Sequence, residues 1–145
     1  MRYAIAIVAL LAGCATPPSP EPEPAPEPAA PPPLAPRESI AVAGLLETAR
    51  TDAAAGKLAT AAASLERALR IEPRNPRLWQ ELARVRLKQG QYAQAESVAA
   101  RSNSWAGEDK ALRAENWRLI AESRRARGDT EGAQAASEAA EQTRR

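Results

Sequence analysis

Histidine and phenylalanine are absent from these 145 residues, and cysteine occurs once, as Cys14. Missing histidine removes the commonest general base and the commonest metal ligand, and no thiol nucleophile remains beyond Cys14. Carboxylates such as Glu108, Asp109, Glu115, Glu122 and Glu131 are interleaved with arginines, the pattern of solvated helix faces rather than of paired acid and base groups. The serines have no base to activate them. The chain therefore reads as a binding protein, with no catalytic residue, no metal site, no cofactor and no small-molecule substrate. Aromatics are scarce too: beyond Arg37 only Trp79, Tyr92, Trp105 and Trp117 occur. From Arg37 onward 19 Lys and Arg stand against 15 Asp and Glu, too small an excess to argue for nucleic acid. Nor is there a long hydrophobic run: the apolar stretch Tyr3 to Ala12 is well short of the about 20 residues a membrane-spanning helix needs.

What is present begins with that short stretch. Arg2 supplies a cationic start, the apolar run follows, and Leu11-Ala12-Gly13-Cys14 closes it with small residues. This segment resembles the lipobox of bacterial lipoproteins. The resemblance implies a signal peptide over 1–13, cleavage before Cys14, and acyl chains on Cys14 that hold the protein on a membrane; two chains already anchor stably. Ala15 rather than aspartate follows the cysteine, which by the same resemblance points to the outer membrane and its periplasmic face.

From Ala15 to Pro36, 11 of 22 residues are proline and only Glu21, Glu23 and Glu27 are charged. No apolar surface offsets the entropy of folding there, so 14–37 is expected to be a lipidated cysteine followed by a disordered tether. Proline favours polyproline II at about 3.1 Å per residue, a reach of roughly 70 Å.

The remainder, 38–145, carries an internal repeat. Superposing Gly56, Gly90 and Gly128 aligns Gly56-Leu58-Ala61, Gly90-Tyr92-Ala95 and Gly128-Thr130-Ala133 downstream, and Leu45-Thr48-Ala49, Trp79-Leu82-Ala83 and Trp117-Ile120-Ala121 upstream. Apolar residues recur at helical spacing, Asn75-Pro76 offers a cap followed by proline at the first helical position, and Gly90 offers a left-handed stop. The small residues Ala83 and Ala95 let two helices approach. One such unit cannot bury its own face, so about three must stack.

This pattern resembles the tetratricopeptide-repeat family. The resemblance implies an all-α domain of helical hairpins in a short right-handed solenoid, with units at about 42–75, 76–109 and 114–145. Some positions depart from it. Asp52, Arg86 and Arg124 stand where the family usually has bulky residues, and the first unit is expected to be a degenerate cap. The four extra residues between the second and third units are expected to form a longer loop around Ser102 to Gly107, with a helix starting near Glu108.

In repeats of this type the first helix of each pair lines a concave groove. Projecting that register places Arg50, Arg77, Gln80, Arg84, Lys88, Glu115, Arg118, Glu122 and Arg125 in a mainly basic groove. Arginine suits bidentate recognition of carboxylates, which fits an acidic peptide segment or a chain terminus. Trp105 is a candidate partner hot spot. Anchor, tether and repeat domain together resemble the LpoP-type outer-membrane lipoprotein activators of bifunctional class A penicillin-binding proteins, which implies such a synthase as partner and peptidoglycan synthesis as the process served. Two other readings are open from the residues: an envelope adaptor, such as a secretin pilotin or a scaffold for wall hydrolases or proteases, and a wall-active enzyme.

Overall fold

The structure, a computed structural model, describes residues 39–145. The predicted leader, Cys14 and the Pro-rich tether lie outside the described residues. Among the described residues six helices follow one another: α1 (Ile40–Ala54), α2 (Leu58–Ile71), α3 (Pro76–Lys88), α4 (Tyr92–Trp105), α5 (Lys110–Ala126) and α6 (Thr130–Arg144). They pair as three hairpins, and the second helix of each hairpin packs on the first of the next. The turns inside the hairpins share one device. Gly56, Gly90 and Gly128 adopt φ of 76°, 73° and 82°. The N–H of the residue after each glycine then reaches back to the carbonyl of Asp52, Arg86 or Arg124, at 2.8, 2.9 and 3.0 Å. This closes the helix end and reverses the chain.

Starts are equally local. The side chains of Ser39, Asn75, Asp109 and Asp129 accept from backbone N–H groups of the first turns of α1, α3, α5 and α6, with Pro76 at the first helical position of α3. Two apolar clusters form the core. One joins Val42, Leu46, Leu65, Leu69, Leu78, Leu82 and Val85; the other joins Ala83, Ala99, Leu119, Ile120, Ala121 and Ala136. Ala83 and Ala95 are wholly buried, so the second hairpin closes through small side chains as its sequence implies.

The expected long loop after the second hairpin does not form. Ser102 to Trp105 are the last turn of α4, and the extra residues lie in α5, which has 17 residues where α3 has 13. Four residues are close to one helical turn of 3.6, so the added turn rotates the side-chain pattern by only about 40°.

Candidate functional site

The C-terminal part of α1, α3 from Glu81 to its end and the middle of α5 frame a groove of about 490 Å³, lined by Arg50, Ala53, Ala54, Glu81, Arg84, Val85, Leu87, Lys88, Glu115, Leu119 and Glu122. Its floor is apolar and its walls are charged. Of the residues projected from sequence, Arg50, Arg84, Lys88, Glu115 and Glu122 line it. The walls are less basic than the projection implied, because three cations face three carboxylates. Arg50 donates through Nε and Nη2 to Glu81 Oε1, at 3.2 and 2.9 Å. Arg84 Nη2 donates to Glu115 Oε1 at 3.1 Å, and Arg118 Nη1 to Glu115 Oε2 at 3.2 Å. Arg50 and Arg84 thus each reach forward to the glutamate of the next unit. Such exposed pairs are worth about 0.2–1 kcal/mol each; their main effect is to hold the arginine heads in place.

Glu81 was not among the projected residues, although its signal stands in the sequence. Glu47-x-x-Arg50, Glu81-x-x-Arg84 and Glu115-x-x-Arg118 recur at a spacing of 34. Reading each helix alone hides this pairing, which runs between units.

The other projected residues lie elsewhere. Arg77 is exposed in the first turn of α3, away from the groove lining. Gln80 faces the boundary between the second and third units, where its Nε2 donates to Asn116 Oδ1 at 3.0 Å and to the Leu112 carbonyl at 3.3 Å. Asn116 is fully buried. Its Nδ2 donates to Ser102 Oγ (2.7 Å) and Asn103 Oδ1 (3.0 Å), while Ser102 Oγ donates to the Pro76 carbonyl (2.7 Å). Every buried side-chain polar atom of this knot has a partner, and it ties α3, α4 and α5 together.

Arg118, Glu122 and Arg125 line a second, shallower depression with Ala121, Ala126 and Ser137. This depression lies on the third hairpin, between α5 and α6. Counting from Gly90 and Gly128, Arg125 and Ser137 occupy the places that Leu87 and Ala99 hold one unit earlier. Leu87 and Ala99 pack in the second core cluster; their counterparts on the third hairpin are polar.

Arg86 and Arg124, odd for the repeat pattern, bridge backward to the preceding hairpin. Arg86 pairs with Glu66, while Arg124 and Arg127 share Glu96, each at 2.8 Å. Trp105 lies at the end of α4, 39% exposed, with the Arg74 guanidinium 5.1 Å from its ring centre. Among the described residues no cluster of three His, Cys, Asp or Glu could hold a metal ion. No described helix is long and apolar enough to cross a membrane.

Residues 52–115 match the family model described as tetratricopeptide repeat. Among solved structures, the globular C-terminal domain of P. aeruginosa LpoP is 47% identical and superposes with a TM-score of 0.70, over 72% of this chain and 99% of that one. None of the curated proteins matches the chain.

Proposed function

The chain belongs to the LpoP-like family of tetratricopeptide-repeat proteins, and from that premise we propose that it is an outer-membrane lipoprotein, anchored through Cys14, that binds and activates a bifunctional class A penicillin-binding protein. The observation that carries this reading is the likeness to the LpoP domain at 47% identity over nearly all of that domain, joined to Leu11-Ala12-Gly13-Cys14 and the Pro-rich stretch after it. The fold and the match point to a protein-interaction domain. The groove supplies an apolar floor for an anchor side chain and fixed charges on both walls for orientation, the division of labour of a peptide-binding surface.

In this reading the tether carries the domain roughly 70 Å from the outer membrane to a synthase rooted in the inner one. Two experiments test it. The domain 37–145, added to a purified class A synthase with lipid-linked substrate, is expected to raise the rate of glycan polymerisation. In cells, deleting half of residues 17–36 is expected to abolish complementation while leaving that stimulation in vitro intact. A synthase rate unmoved by the domain at saturating concentration, with a secretin subunit, a wall hydrolase or a protease captured instead, would transfer the assignment to an adaptor. Mass spectrometry of the membrane-extracted protein checks acylation of Cys14 separately.

A further inference from the structure

Two arginines are held differently from those of the groove. Arg50, Arg84 and Arg118 are tied to carboxylates, as are Arg86, Arg124 and Arg127. Arg74 and Arg101 instead lie over tryptophan rings in cation–π contact: the Arg74 guanidinium carbon is 5.1 Å from the ring centre of Trp105, and that of Arg101 is 5.2 Å from the ring centre of Trp79. Among the described residues neither has an acidic partner within ion-pair distance. The four side chains interleave. Arg101 and Trp105 are one turn apart on α4, while Arg74 and Trp79 flank the start of α3, where the Trp79 indole N–H donates to the Pro73 carbonyl at 2.8 Å. The Ser102 bond to the Pro76 carbonyl holds the two segments together from beneath. Three residues before Arg74 stands Ile71, one of the few large apolar side chains left exposed. A cation–π contact holds a guanidinium beside a ring without using its N–H donors, which lowers the ordering cost the arginine meets on binding.

We infer that Arg74, Arg101, Trp79 and Trp105 form a docking surface for an acidic segment of a protein partner, with two carboxylates on the two guanidinium edges and an apolar residue against Ile71 and the Trp105 rim. None of the four lines the groove, so this surface does not depend on the groove meeting a synthase. The probe is the peptide acetyl-Glu-Glu-Leu-Glu-Glu-amide, with its glutamine analogue as the neutral control. The protein is nitrogen-15-labelled 37–145; the corresponding LpoP domain was solved on its own. Two indole N–H resonances report the site and a third is the internal control. Trp79 and Trp105 are expected to shift with the acidic peptide while Trp117 stays. Arg74→Gln and Arg101→Gln each weaken binding roughly five-fold or more, and Lys57→Gln, at the far end of α2, changes it by less than about two-fold. Three results overturn the assignment: no shift at millimolar peptide, equal shifts with the neutral analogue, or shifts centred on Arg84 and Lys88 in the groove.

Discussion

Truncating Asn116 to alanine tests whether the buried polar knot at the second boundary holds the stack together. The side chain makes three hydrogen bonds in a site closed to water, each worth about 1 kcal/mol net. Part of that is recoverable. Ser102 keeps the Pro76 carbonyl, Gln80 keeps the Leu112 carbonyl, and Asn103, only half-buried, can turn to solvent. A small cavity adds to the loss. The expected cost is about 2–3 kcal/mol, which for a domain of this size lowers the thermal midpoint by roughly 8–12 °C. Thermal unfolding of 37–145 followed by circular dichroism measures it. Asn116→Leu, which installs the residue type found 34 residues earlier at Leu82, is expected to lose stability as well, because it sets an apolar side chain against Gln80, Ser102 and Asn103. A midpoint within about 3 °C of the parent for the alanine variant, or above it for the leucine variant, would refute the reasoning.

Three further outcomes follow from the same structure. Gly90 has φ of 73°, and the nearest atom to a methyl group placed on it is the Tyr92 hydroxyl oxygen at 4.0 Å, so Gly90→Ala carries a purely conformational cost of about 1–2 kcal/mol, readable by urea unfolding. At Glu72, burial pushes the carboxyl pKa up, but the Ser39 N–H, the Asn75 amide and the Ser39 hydroxyl outweigh it and hold the pKa below the ordinary value of 4.5. A lowered pKa gives stability that is complete above the unfolded-state value and lost as pH falls through the folded one. The stability gap between the parent and Glu72→Gln is therefore expected to close on acidification below about pH 4; a gap unchanged down to pH 3 would contradict it. Finally, Arg125→Leu with Ser137→Ala places on the third hairpin the residues of the covered face one unit earlier, and sedimentation velocity of 37–145 is expected to show new self-association.

The elements most legible in the sequence are those whose causes are local. Gly90 was readable as a left-handed stop, and the repeat aligns Gly56 and Gly128 with it; the structure gives all three positive φ, where an L side chain would meet its own backbone. Asn75-Pro76 had to open a helix, since proline lacks the donor that position leaves unused. The extra turn of α5 is hidden because Ser102-Asn103-Ser104 has the composition of a loop. Tertiary partners override that weak preference: Ser102 and Asn103 commit their side chains to the Asn116 knot and leave the backbone helical.

The groove divides in the same way. Its location on α1, α3 and α5 follows from the repeat, and Arg50, Arg84, Lys88, Glu115 and Glu122 were recoverable from register alone. Its charge balance was not. Arginine and glutamine side chains are long, and a head group several bonds from its Cα can turn toward any of several neighbours. Gln80 turns inward to Asn116, Arg84 reaches Glu115, and Arg74 finds Trp105, partners 36, 31 and 31 residues away in the chain. Sequence by itself determined the three glycine turns, the start of α3 and the hairpin repeat, because the turns and caps depend on backbone geometry within a few residues and the repeat on the periodicity of apolar positions. Which charges cancel and which stay available to a partner was decided only by the stacking of the hairpins, which sets distances between head groups that no local pattern encodes.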